Sequence, residues 1–121
     1  MQGKKGFTLI ELIMIIVILG ILAAVAVPKY FNLTTDAQTA AERGVIGGVR
    51  AGIQTYFANS KAFPSSLDSA TNAACSSTNA CFTNVLSQGG VTSDWTKATA
   101  TTYTGPTGTT YTYTSATGSF L

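Results

Sequence analysis

The sequence predicts an α+β fold in which one long N-terminal helix packs on a small antiparallel sheet, and three observations carry that expectation. Residues 7–27 hold a single ionisable side chain, Glu11, within an otherwise apolar or small-residue run. Beyond Pro28, apolar residues recur at three- and four-residue spacing, the period of a helix with one buried face. From Asp94 onward the period changes to two, in segments rich in Thr and Tyr that turn residues separate. With 121 residues in total, there is room for one small folded domain beside the apolar segment.

The apolar run comes first. As a helix, residues 7–27 would extend about 31 Å at 1.5 Å per residue, enough to cross a hydrocarbon core. Lys4 and Lys5 precede the run and only Lys29 closely follows it, so the positive-inside rule puts the N-terminus in the cytoplasm and the remainder outside. A secretory signal peptide is the competing reading, with "AAVAVP" imitating a cleavage site. Glu11 is the anomaly, because a charge at the centre of a membrane helix costs about 2.5 to 3.5 kcal/mol on insertion scales and asks for a partner.

Pro28 lacks the N–H that would bond the carbonyl of Ala24, so a kink is expected there. An amphipathic second half then runs over residues 29–60, with Tyr30, Leu33, Ala37, Ala41, Val45, Val49, Ile53 and Tyr56 on the face to be buried. Asp36, Glu42, Arg43, Arg50 and Lys61 mostly fall elsewhere. Gly44, Gly48 and Gly52 share a stripe, Gly47 standing beside it. Each glycine costs about 1 kcal/mol against Ala inside a helix, so either a sheet or helix approaches the stripe closely, or the positions have drifted to small residues.

Residues 61–121 make up the remainder. Pro64 ends the helical run, and the loop after it offers Phe63 and Leu67 as anchors. "FTNVLSQGG" predicts a short turn of helix closed by Gly89 and Gly90. Three strands are expected in "DWTKATATTY", "TTYTYTS" and "GSFL", with Tyr111 and Tyr113 on one face and Thr110, Thr112 and Thr114 on the other. The helix is the apolar surface on which the aromatic face can pack.

Composition narrows the function. The chain has no His, no paired acids, no Gly-rich phosphate loop and no Ser or Cys with a credible base, so no catalytic residues and no cofactor site are expected. Cys75 and Cys81 are the two cysteines, too few for a zinc site; in an oxidising compartment they read as a short-loop disulfide, and otherwise as two free thiols. The formal charge is +2; without Lys4 and Lys5, five basic residues face five acids, and a neutral surface of this kind does not suggest a nucleic-acid site.

The stretch "KKGFTLIELIMIIVILGILAAVAVPKY", with Gly6, Phe7, Glu11, Gly20 and Pro28 in register, resembles the N-terminus of the type IV prepilins, a family that includes the type II secretion pseudopilins. The resemblance implies a leader over residues 1–6, cleavage between Gly6 and Phe7 by a membrane prepilin peptidase, and N-methylation of the new Phe7 amine. It implies that residues 7–28 stay on the mature protein, first as an inner-membrane anchor and then as the core of an extracellular filament built on an assembly platform from copies of this chain. Glu11 would then find its partner in the Phe7 ammonium of its own or a neighbouring subunit, an ion pair in low dielectric that sets subunit register; otherwise Glu11 is protonated or snorkels. The resemblance also implies that the stretch bracketed by Gly20 and Pro28 can lose helical order in the filament; otherwise the two residues only kink the helix.

Two departures bear on which branch of the family applies. Cys75 and Cys81 precede the expected strands, whereas many pilus subunits carry their pair near the C-terminus. Only Asp94 stands among the last strands, too little for the acidic calcium site of major pseudopilins, and no metal site is expected. The missing calcium site favours a pilus subunit over a pseudopilin, whereas the cysteine placement leaves open which region a disulfide would staple. A membrane-anchored monomeric binding module is the alternative of another class.

Overall fold

The computed structural model describes residues 6–121, and of residues 30–32 only the backbone. Expectations resting on residues 1–5, including the two lysines of the expected leader, and on the Tyr30 side chain lie outside the described residues. The elements are one helix, α1 (Leu9–Ser60), and four short strands, β1 (Thr96–Lys97), β2 (Thr102–Thr104), β3 (Thr110–Thr114) and β4 (Ser119–Phe120). They form two compact units, one extending to Asp36 and one from Ala37 to Leu121.

In the first unit α1 runs unbroken through Gly20 and Pro28. The described large apolar side chains from Phe7 to Val27 are all exposed, Ile13 least at 45 % and Phe7 most at 85 %.

The second unit is built around the end of α1. Ile46, Val49 and Ile53 recur at three and four and are buried, with Val45 half-buried beside them. The buried stripe lies to one side of the expected face: Ala41 and Tyr56 are exposed, and Glu42, expected outside, is 4 % exposed. The shift has a cause, since Glu42 is four residues before Ile46 and its carboxylate is taken up by hydrogen bonds from Thr107 and Tyr111.

α1 ends at Ser60 because Lys61 turns left-handed, with φ 60°, and returns its N–H to the carbonyl of Phe57 at 2.7 Å. Phe63 and Leu67 anchor the following loop as expected. Leu67 is buried, and Phe63 stacks on Phe57 with ring centroids 4.5 Å apart.

The sheet is an antiparallel meander of order β1-β2-β3-β4. Tyr113 is buried and Tyr111 half-buried, while Thr110, Thr112 and Thr114 face solvent, the alternation read from the sequence. The expected first strand, "DWTKATATTY", is instead a hairpin of two strands. Thr99 makes the difference, because its Oγ1 accepts the N–H of Thr102 at 3.2 Å and gives the backbone a local alternative to extension. "FTNVLSQGG" forms two turns rather than the expected helix, the first closed by Leu86 N–H on the carbonyl of Phe82 at 3.0 Å. Gly89 and Gly90, which follow the second turn, both have left-handed φ, 86° and 83°.

The glycine stripe has one clear packing reason, and neither a sheet nor a helix supplies it. A Cβ built on Gly52 would stand 2.0 Å from the carbonyl oxygen of Val85 in the loop, whereas one on Gly44 or Gly47 would meet nothing within 4 Å. Gly52→Ala should therefore destabilise the domain by about 1–3 kcal/mol through overpacking, and Gly44→Ala should raise helix stability by about 0.5–1 kcal/mol. Thermal unfolding of the two variants in detergent is the check: opposite shifts in Tm are expected.

Candidate functional site

The N-terminal end of α1 is organised by a short sequence, Thr8-Leu9-Ile10-Glu11. Thr8 is the cap residue: its Oγ1 accepts the Glu11 N–H at 3.3 Å, while the Glu11 carboxylate accepts the Thr8 N–H through Oε2 at 2.8 Å. This reciprocal pair satisfies two backbone donors that have no partner in the helix. It also sets an anion at the positive end of the helix dipole. The Thr-x-x-Glu spacing is the sequence signature of this cap, which the expectation that Glu11 pairs with the Phe7 ammonium did not use.

Gly6 and Phe7 stand immediately before the cap, outside the helix and exposed. Following them, α1 contains an 18-residue window of mean hydropathy 3.0, none of it buried, which is long and apolar enough to cross a membrane. An apolar surface of this extent on every side of a helix is unstable in water and needs lipid or other apolar helices around it. Gly20 and Pro28 lie inside this helix, and no other part of the described chain touches Gly20 at the position a Cβ would take.

Residues 1–27 match the family described as the prokaryotic N-terminal methylation motif. The type IV major pilin protein PilE of Neisseria gonorrhoeae is 42 % identical over 74 residues, 61 % of this chain and 44 % of that protein. A fimbrial protein of Neisseria meningitidis serogroup A is 43 % identical over 67 residues, 55 % of this chain and 39 % of that protein. The chain carries a type IV pilin N-terminus. The type IV major fimbrial protein FimA of Dichelobacter nodosus, 41 % identical over 58 residues, 48 % of this chain and 37 % of its own length, agrees. The matched stretch spans less than half the length of each of these relatives. No solved structure matches the chain significantly. The long helix and small antiparallel sheet are consistent with the α+β type IV pilin fold.

Beyond this pilin-type helix start, the domain buries two carboxylates. Glu42 is reached by Thr107 N–H at 3.1 Å on Oε1, by the Tyr111 hydroxyl at 2.8 Å on Oε2, and by Thr107 Oγ1, which stands 2.8 Å from both oxygens. Gly105 makes the approach feasible, since a Cβ there would stand 2.0 Å from Oε1. Left-handed Gly108, whose N–H bonds the carbonyl of Gly105 at 3.0 Å, closes the turn that presents Thr107. Burial pushes the Glu42 carboxyl up, but the hydrogen bonds from Thr107 and Tyr111 outweigh it and hold the group below its ordinary value. Burial, followed by the Glu42 hydrogen bond and charge, pushes the Tyr111 hydroxyl up.

Cys75 and Cys81 are joined in a disulfide, closing a tight loop beside the sheet. Backbone bridges Ala74 to Thr96 and Cys81 to Val91 flank it. Among the described residues, no group of three or more His, Cys, Asp or Glu side chains could hold a metal ion.

The neutral donors around Glu42 make its contribution depend on pH. Its folded-state pKa lies below the ordinary carboxylate value, so the stabilisation is complete above that ordinary value and is lost as pH falls through the lower, folded one. Glu42→Gln, which presents an amide where the site offers only donors, should cost about 1–3 kcal/mol at pH 7. Urea unfolding at pH 7, 5, 4 and 3 should show wild type losing stability toward acid and converging on the variant.

Proposed function

We propose that this chain is the structural subunit of an extracellular type IV pilus, polymerising through its N-terminal helix. The observation that carries the reading is the combination of a methylation-motif N-terminus with an apolar helix exposed on every described side from Phe7 to Val27. Such a helix requires an apolar surround. A membrane supplies it before assembly, and a bundle of identical helices supplies it afterwards.

In this reading a prepilin peptidase cuts between Gly6 and Phe7 and the Phe7 amine is methylated. The N-terminus faces the cytoplasm before assembly, and a separate platform draws subunits out of the inner membrane into the growing fibre. Glu11 pairs with the Phe7 ammonium of a neighbouring subunit, an opposite charge that offsets its burial. The segment bracketed by Gly20 and Pro28 loosens on assembly, where a weak helix former and a residue without an N–H make order least costly to lose.

Protein sheared from the cell surface tests this directly. Intact mass and N-terminal sequencing should give a chain beginning at methylated Phe7, and an uncut chain confined to membranes would overturn the reading. Glu11→Leu removes both the cap contact and the ion pair. Losing a charge-assisted hydrogen bond of about 1.5–3 kcal/mol should reduce sheared fibre tenfold or more while the variant is still found in membranes.

A further inference from the structure

Asp68 and Lys97 form a buried contact that the proposed function does not draw on. Lys97 lies on β1, Asp68 in the loop after α1, and their side chains are 6 % and 0 % exposed. Lys97 Nζ is 2.5 Å from Asp68 Oδ1, shorter than the 2.7–2.9 Å of an ordinary charge-assisted bond. Nζ also donates to the carbonyl of Ala70 at 2.8 Å, which aims it. The Ala70 N–H reaches Oδ1 at 3.1 Å. On the other side of the carboxylate, Oδ2 accepts the Phe82 N–H at 2.7 Å and the Tyr103 hydroxyl at 2.9 Å. Phe82, Trp95 and Tyr103 are buried in the same core, with the Phe82 and Tyr103 rings 4.4 Å apart.

We propose that Lys97 and Asp68 are a self-modifying pair, joined in the mature domain by a side-chain amide between Nζ and Cγ. One Nζ proton passes to Oδ1 along the 2.5 Å bond, leaving a neutral amine beside a neutral acid. The nitrogen lone pair attacks Cγ, and the electron pair of the carbonyl moves onto Oδ2. There the Phe82 N–H and the Tyr103 hydroxyl hold the developing oxyanion. When the carbonyl re-forms, the Cγ–Oδ1 bond breaks and Oδ1 leaves as water with the proton it received and a second one from nitrogen. Ammonium and carboxylate thus become an amide and one water, with no oxidant, reductant or further reactant.

Three features support the step. The reacting groups are held in one geometry, which removes the entropy of bringing them together. The buried side chains exclude the bulk water that would oppose a dehydration. Tyr103 remains a donor at any ordinary pH, because burial, then the charge of Asp68 and its hydrogen bond, push its hydroxyl far up. The product also removes two charges from a core in which a simple ion pair is weak evidence of stability.

The sequence supplies a clean test, independent of filament formation. Lys and Arg are absent between Lys61 and Lys97 and after Lys97, so trypsin cuts the unmodified, reduced chain into peptides 62–97 and 98–121. An acylated Lys97 resists trypsin. The purified full chain should instead yield one peptide, 62–121, lighter than its sequence by the mass of water, about 18 Da. Peptides 62–97 and 98–121 at full mass would overturn the proposal. The variant Lys97→Met removes the nucleophilic amine and leaves Asp68 its hydrogen bonds from Ala70, Phe82 and the Tyr103 hydroxyl. Its 62–121 peptide should have its full calculated mass, and a persisting loss of about 18 Da would place the dehydration elsewhere and overturn the assignment.

Discussion

The carboxylate of Asp68 is the contact on which the domain most depends. Residues 61–95 contain no strand longer than an isolated bridge and no helix, a length at which structureless loops are uncommon inside compact domains. Asp68 gathers donors from Ala70 and Phe82 in that loop, from Lys97 on β1 and from Tyr103 on β2. Four donors on one buried carboxylate tie the loop to the sheet at its centre, and the disulfide and the backbone bridges hold it further out. A buried carboxylate without them would be strongly destabilising, so the loop's path and the sheet's first hairpin are mutually required. Phe82 shows what the arrangement can hold: a buried aromatic residue with φ 62°, fixed on its N–H by Asp68 and on its ring by Trp95, Tyr103 and Phe120.

The two parts of the helix differ in what the chain itself covers. Up to Val27 the apolar side chains are exposed all round, so nothing in the chain itself satisfies them. From Ala37 onward three buried apolar residues and one buried acid face the sheet, while Arg43 and Arg50 remain exposed. Arg50 is still used, donating through Nε to the carbonyl of Phe120 at 2.9 Å and fixing the last strand to the helix. The sheet is too small to be stable alone, with strands of two to five residues, and its aromatic face acquires a partner only because the helix continues beyond the apolar segment.

Much of this was legible in local pattern. Apolar runs and periods of 3.6 and 2 report burial directly, so the helix, the aromatic and hydroxylated faces of β3, and the anchors Phe63 and Leu67 were readable from spacing alone. The Glu42 contact was half-legible, because the residue sits four before Ile46 on the same helical face, and charge argued against a burial that Thr107 and Tyr111 then made possible. The Asp68 hub was not legible. Its partners stand 2, 14, 29 and 35 residues away, and no periodicity reports which hydroxyl or amide a distant acid will meet. The split of the first expected strand turned on Thr99, a residue equally at home in a strand and in a hydroxyl-stabilised turn.

Glu11 joins the two halves of the functional argument. An isolated acid in an apolar helix is costly, yet here its carboxylate closes a cap with Thr8 at the first turn, where the helix dipole also favours negative charge. The cap engages Oε2, and a carboxylate accepts on both of its oxygens. An ammonium at Phe7 could therefore be bound without undoing the cap. Capping makes the acid tolerable in a single chain, and an intersubunit pair would make it favourable in a polymer. In the proposed pilus, a residue merely tolerated alone and rewarded in contact would select for the assembled state, and leader removal, by creating the ammonium, would determine when that selection begins.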